Sequence, residues 1–309
     1  MSLAILFSGQ GGQHPAMLDF LNDYPAARSV FEAGNDALDT DLLTALNHPD
    51  DLYRNSVAQP LICLMQLALW NALQPMLPRP AAFAGYSVGE LSAYACATAM
   101  DGATLARLAH TRATLMDKAA AGRKCGMLAL RGLGRQQVEA LCAGSQAWIA
   151  IGISAEEFII GGDEAALSVL HTSLSDRGAE ITCLKVGVAA HTPLMASAVA
   201  PFRSLLEAAA RHPLGTPVVA GIDGAWLTRS ELAADKLATQ LAHTIAWDVC
   251  LDTLYERGCR VFLELGPGRA LTRMVLQRFE EVQARSVEEF RTLHGLTVWL
   301  ERQFPSTAS

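Results

Sequence analysis

The chain predicts an α/β protein in which helices cover a mainly parallel sheet and a smaller unit is inserted, and three observations carry that prediction. Short apolar runs, Ala4 to Phe7 and Ala81 to Ala84, alternate with longer stretches of helical spacing through the first third. Between Cys125 and Leu184 the rhythm changes to shorter elements in the order strand, helix, strand, strand, helix, strand. Beyond them the longer patterns return and end in "VFLELGPGRAL", an apolar strand, a Gly-Pro-Gly turn and a helix start. With 309 residues, 51% of them hydrophobic, the chain can bury two cores of unequal size.

Each element follows from its own stretch. The charge-free segment Asn55 to Pro78 is interrupted by Gln59, Pro60, Gln66, Asn71, Gln74 and Pro75, which are costly in lipid, so it reads as a buried helix rather than a membrane span. Asp101 to Ala120 has helical spacing. In the altered region "CGMLALRG", "WIAIGI", "EFIIGG" and "EITCLKV" are strand-like, while "GRQQVEALC" and "DEAALSVLHTSLSDRG" are helical. That order is the ferredoxin-like arrangement. The small-residue joints "AAAGRK" and "GVAAH" bound it, giving a small domain of residues 123–187 inserted in a large one of 1–122 and 188–309. The large unit resumes with a helix from Pro193 to about His212, a strand near "TPVVAGI", and helices around 229–242 and 247–257. The tail, 286–302, reads as one amphipathic helix.

Composition excludes several classes of function. Seven cysteines, an odd number without a C-x-x-C pair, fit a reducing cytoplasm and argue against a disulfide scaffold or zinc site. A net charge of -7 argues against nucleic-acid binding, and the five-residue apolar run at the start lacks the basic region of a secretory signal. One segment departs from the acidic mean. Gly102 to Arg135 holds seven basic residues against Asp117 alone, either a solvated face or a dock for an anionic partner.

"AFAGYSVGELSAY" carries the strongest chemical signal. Gly85-Tyr86-Ser87-Val88-Gly89 fits a nucleophile elbow, in which a strand turns sharply into a helix with serine at the tip. A serine hydroxyl needs a base, and among eight histidines His191 stands just past a predicted strand, with Thr192-Pro193 as an N-cap and first-turn proline behind it. The acids lying between them, Asp163, Asp176 and Glu180, fall inside the insert, so an amide or a backbone carbonyl is the alternative orienting group. Arg112 falls on the apolar stripe of the helix 101–120, where a guanidinium must find an anion: a structural Asp or Glu, or a substrate carboxylate. "FSGQGGQ" lacks both the P-loop Lys-Ser/Thr and the dinucleotide glycine spacing. It is either a phosphate cradle or, with the N–H groups of Gln10 and Val88, an oxyanion hole.

Taken together, "FSGQGGQ", "GYSVGE", "TRATLM", "AAHTPLM" and "ELGPGRAL" resemble, in order, five motifs of the malonyl-CoA:acyl carrier protein transacylase family. The resemblance covers nearly the whole chain. It implies an α/β-hydrolase-like core with the ferredoxin-like insert, a malonyl ester on Ser87, His191 as general base, Arg112 as clamp for the malonyl carboxylate, and the N–H groups of Gln10 and Val88 as oxyanion hole. Gln240, in "ATQLAHTIAW", falls where the family has a glutamine that helps to orient the histidine. Malonyl-CoA and a carrier bearing a phosphopantetheine-type arm are the implied substrates, with no permanent cofactor, no nucleic acid and no membrane. Three departures, Tyr86 in the elbow, "GISAEE" in the insert and "AHTIAW" near residue 244, look more like the epsilon (transacylase) subunit of malonate decarboxylase systems. A transacylase of fatty-acid or polyketide synthesis, a serine thioesterase and a non-catalytic binding subunit are the competing readings.

Overall fold

The computed structural model describes residues 1–309 except 22, 23, 49, 185, 210, 211 and 305–309. In chain order the elements are β1 (Ser2–Phe7), α1 (Pro25–Leu38), α2 (Asn55–Leu73), β2 (Ala82–Gly85), α3 (Val88–Ala97), α4 (Gly102–Ala120), β3 (Cys125–Arg131), α5 (Arg135–Cys142), β4 (Ala147–Gly152), β5 (Glu157–Asp163), α6 (Glu164–Ser175) and β6 (Glu180–Cys183). They continue with α7 (Ala196–Ala209), β7 (Val218–Val219), β8 (Trp226–Leu227), α8 (Ser230–Thr239), β9 (Ile245–Ala246), α9 (Trp247–Glu256), β10 (Cys259–Leu265), α10 (Ala270–Arg278), β11 (Gln283–Ser286) and α11 (Leu293–Gln303).

Two sheets organise these elements into a mixed α/β fold. The larger runs β11-β10-β1-β2-β7-β8 and is parallel except at its β7–β8 edge. Its central strands are apolar and buried along their length, as parallel strands covered on both faces must be. The stretch from Asn55 to Met76 is long and apolar enough to cross a membrane, yet 83% of its apolar 18-residue window lies inside the fold, where α2 packs against α1, α3 and α4. Because β10, β1 and β2 are adjacent and parallel, the loops leaving all three emerge at one edge, the carboxyl ends at which such sheets bind ligands.

The smaller sheet runs β6-β3-β5-β4-β9, and its first three pairings are antiparallel. Strand alternation divides its two faces. Leu128, Leu130, Phe158 and Ile160 join α5 and α6 in a separate core, while Met127, Ala150, Ile151 and Ile159 face the main one. The fifth strand, β9, comes from residues outside the altered region and pairs parallel with β4. Two residues are too short to leave a periodic signal, and the sequence reading missed them.

Three local expectations need correction. The tail is not one helix from Ser286: β11 ends at that residue, a 3-10 turn covers Val287–Glu289, and α11 starts at Leu293. Ser286 caps the turn, with its Oγ accepting from Glu288 N, so the segment 286–289 closes a separate turn. Thr192 precedes a 3-10 turn as expected, but its hydroxyl donates back to Ala189 O at 2.7 Å and caps nothing. The helix expected from Pro193 to His212 begins as that turn and is α-helical over α7; residues 210 and 211, like Lys185 of "EITCLKV", lie outside the described ones.

Candidate active site

Ser87 stands between β2 and α3 with φ 56° and ψ -117°, a conformation costly for any residue with a Cβ. Its flanking glycines show why the chain turns there. A Cβ on Gly85 would lie 2.1 Å from Glu90 N, and one on Gly89 would lie 2.1 Å from Phe7 O. Helix and strand therefore approach as closely as only glycine permits, and the serine is pushed out at the tip.

The chain returns to this point 104 residues later. His191 also has a positive φ, 62°, and is 1% exposed. Its Nε2 accepts from Ser87 Oγ at 2.8 Å, because its Nδ1–H donates to the backbone carbonyl of Gln240 at 2.8 Å. That second bond fixes the tautomer with its lone pair facing the hydroxyl. The orienting group is the main-chain oxygen of Gln240; the side-chain amide does something else. Burial, with the nearby Arg112 charge as the second cause, pushes the imidazole down to about 3. The ring is neutral at working pH, in the form that accepts a proton.

Arg112 lies wholly buried on α4. Its Nη1 donates to Gln59 Oε1 at 2.8 Å and to Met116 Sδ at 3.3 Å, and its Nη2 to Gln240 Oε1 at 3.4 Å. Among the described residues its Nε, also buried, has no hydrogen-bond partner, and no carboxylate forms an ion pair with it. Burial lowers its pKa to about 10, which leaves it charged. Of the two partners the sequence allowed, the structural Asp or Glu is thus not in direct contact. The nearest acid in the network is Glu90, 2% exposed, which accepts from Gly221 N at 3.0 Å and from Gln240 Nε2. Gln240 thereby serves both poles: its main chain holds the imidazole and its side chain spans from Glu90 to the guanidinium.

A cavity of about 440 Å³ opens on Ser87 and His191. Gly9 to Gly12 and the Pro267-Gly268 turn form one side, and Met127, Ile151, Ile153 and Ile159 of the smaller sheet form the other. Arg112 is not in its wall; Met116, whose sulfur covers Nη1, is. The N–H groups of Gln10 and Val88 donate to no group among the described residues, and Val88 opens α3. Two free donors beside a Ser–His pair suit a developing oxyanion. A cleft of about 480 Å³ along Asp101, Arg107 and His212 has no such pair. Of the basic residues in 102–135, Arg112 is interior, Arg123, Arg131 and Arg135 lie 4.0, 3.1 and 3.6 Å from Asp163, Glu157 and Asp248, and Arg107, Lys118 and Lys124 are exposed.

Sequence reasoning missed the buried polar residues that brace these groups. Gln66 Nε2 donates to Ser8 O, Leu265 O and Gly266 O at 2.8, 3.0 and 3.0 Å, joining the loops after β1 and β10. Glu264 accepts from Leu271 N and Thr272 N and holds the start of α10 behind the Gly-Pro-Gly turn. The available signal was Gln59 and Gln66 in an otherwise apolar helix, where an amide needs interior partners.

An acyl transferase domain model matches residues 5–294. A probable mitochondrial malonyl-CoA-acyl carrier protein transacylase of Drosophila melanogaster is 30% identical over 308 residues, covering 92% of this chain and 80% of the relative. A malonyl CoA-acyl carrier protein transacylase of Mycobacterium bovis is 30% identical over 293 residues, covering 93% and 96%. A malonyl-transacylase solved in complex with its type II PKS acyl-carrier protein superimposes with a TM-score of 0.91 at 26% identity, over 98% of this chain and 100% of that one. With the family model spanning most of its length and relatives at that identity nearly end to end, the chain belongs to the malonyl-CoA:acyl carrier protein transacylase family of acyl transferases.

Proposed function

We propose that this enzyme moves a malonyl group from malonyl-CoA, through an ester on Ser87, to the phosphopantetheine thiol of an acyl carrier protein. The observation that carries the reading is a neutral imidazole on a strained serine, with a buried guanidinium lacking any carboxylate partner one side chain behind the cavity wall. In this reading the architecture is an α/β-hydrolase-like large domain, 1–122 and 188–309, with a ferredoxin-like domain, 123–187, whose apolar face forms the opposite wall and limits water.

Ser87 Oγ attacks the thioester carbonyl as its proton passes to His191 Nε2. The N–H groups of Gln10 and Val88 hold the oxyanion, and collapse expels CoA, which takes the proton from the imidazolium. The carrier's thiol then gives its proton to Nε2 and attacks the ester. The second collapse returns the proton to Ser87 Oγ. Meanwhile the malonyl carboxylate replaces the neutral Met116 sulfur on Arg112, a weak acceptor giving way to a charge-assisted pair, and the unbranched thioether moves aside at little cost.

Mixing the protein with malonyl-CoA should give a malonyl adduct by intact-protein mass spectrometry, and adding a holo carrier should discharge it onto the carrier thiol. An adduct lost to water at the same rate with and without carrier would make the protein a thioesterase; no adduct would make it a binding subunit. Carriers of fatty-acid or polyketide synthesis are the primary candidates, because the relatives named above are carrier transacylases and one was solved with a type II PKS carrier. The malonate decarboxylase carrier is the second, resting on Tyr86, "GISAEE" and "AHTIAW". Relative transfer rates across the two carrier types decide between them.

Because His191 is held far below the ordinary 6.5, kcat/KM should show no acid limb near that value, and Glu90, raised by burial to about 8, titrates on the alkaline side. Stability follows with opposite signs. Between about 3 and 6.5 the folded protein binds fewer protons at His191 than the unfolded chain, so this contribution is lost as pH falls through that window. Between 4.5 and about 8 folded Glu90 keeps a proton that the unfolded chain releases, so its contribution is lost as pH rises. Melting temperatures against pH for the wild type and Glu90→Gln check this: the substitution should remove the decline between 4.5 and about 8.

A further inference from the structure

We infer that Asn55 and Asp117 form a positioning device that fixes the oxyanion-binding loop, an inference that rests on the function proposed above. Gln10 belongs to a segment without regular structure, next to Gly11 at φ 116°, so its main chain is not held in place by helix or sheet bonds. Side chains hold it instead. Gln10 Nε2 donates to Asn55 Oδ1 at 3.1 Å, and Asn55 Nδ2 donates to Asp117 Oδ1 at 2.6 Å.

The order of donors in this chain is forced. A carboxylate only accepts, so Asp117 turns the amide of Asn55 with its nitrogen outward, and the remaining oxygen faces Gln10 and accepts from it. The residue whose N–H would meet the oxyanion is thus held by a side chain that itself lines the cavity.

Asn55 also links the two ends of the acyl group. It opens α2, and one turn later the same helix presents Gln59, which holds Arg112. Asp117 lies on α4, five residues beyond Arg112 and next to Met116. The two helices that grip the guanidinium therefore also grip the loop 8–13. Gln13 adds a second brace, its Nε2 donating to Leu52 O at 2.9 Å and its Oε1 accepting from Gly11 N at 2.6 Å, which confines the effect of Asn55 to geometry at Gln10.

The test is a reciprocal exchange. Asn55→Ala should lower kcat roughly 5- to 20-fold for malonyl-CoA and acetyl-CoA alike, with KM within about twofold, since an oxyanion forms with either donor and mainly in the transition state. Asn55→Asp alone sets two carboxylates together and should also lower kcat. Adding Asp117→Asn should restore it to within about threefold of wild type, because the carboxylate at position 55 then accepts both from Gln10 and from the amide at position 117. Wild-type kcat in Asn55→Ala, or a double variant no better than Asn55→Asp, would overturn the inference while leaving the acyl transfer intact. Should Asn55→Ala not fold, Asp117→Ala, at an exposed position, carries the same prediction at smaller amplitude. Adduct formation by the wild type, run in parallel, tests the underlying function separately.

Discussion

Ser87→Ala should form no acyl adduct and transfer malonyl at a rate lower by at least ~10³-fold, with the fold and melting temperature nearly unchanged. The size of the loss follows from the two-step route. Without Oγ there is no ester, and the carrier thiol would have to meet the thioester of CoA directly in a cavity of about 440 Å³ that must then admit both arms at once. The small effect on stability follows from the contacts. The hydroxyl makes one hydrogen bond, to His191 Nε2, and alanine bears the same Cβ at the same positive φ. Retained malonyl-CoA binding beside lost transfer would separate this result from general damage, and an adduct persisting in the variant would place the ester elsewhere and end the account. His191→Ala should follow it in transfer rate with a less complete loss of adduct, since a general base contributes about 10²- to 10⁴-fold.

The elbow at Ser87 was legible because such a turn has a steric signature. Two glycines around a serine state where a strand and a helix must nearly touch, and the close approaches of Gly85 and Gly89 to Glu90 and Phe7 are the interior side of that statement. Arg112 was legible for a related reason: a cation on an apolar stripe contradicts the pattern of its own helix. The β-α-β-β-α-β order from Cys125 to Cys183 was legible because each of its elements is long enough to show its period. Legibility fails where one residue has two separate roles or where partners are far apart in the chain. Gln240 holds His191 through its carbonyl and Arg112 through its amide, and a sequence does not show which atom faces which partner. The bond from Asn55 to Asp117 spans 62 residues, and that from Gln66 to Gly266 spans 200. The charge of the segment 102–135 is divided by the fold: Arg112 goes into the interior, Arg123, Arg131 and Arg135 lie near acids, and Arg107, Lys118 and Lys124 stay exposed, a division the summed charge does not show.

Arg112→Ala should remove the preference for malonyl over acetyl, lowering kcat/KM for malonyl-CoA by roughly 10²- to 10³-fold, which is the usual cost of unpairing a buried charge. The effect has two parts of opposite sign. For malonyl the loss is direct, because a carboxylate driven into the interior without a counter-charge is strongly disfavoured. For acetyl the change is a gain. The guanidinium beside His191 is one cause of its depressed proton affinity, so its removal makes the imidazole a stronger base, and the acid limb of the rate profile should move upward. In the proposed complex the malonyl carboxylate pairs with Arg112 and cancels the charge that weakens the base, so malonyl would raise the basicity needed to attack it, and acetyl would not. Arg112→Lys keeps the charge but loses the planar fork, and should fall between, with partial selectivity and an acid limb close to wild type. Since Gln59 and Gln240 lose a donor in the alanine variant, a lower melting temperature is expected there and less so in the lysine variant. A ratio of malonyl to acetyl kcat/KM that stays at the wild-type value in both variants would show that the carboxylate is held by another group.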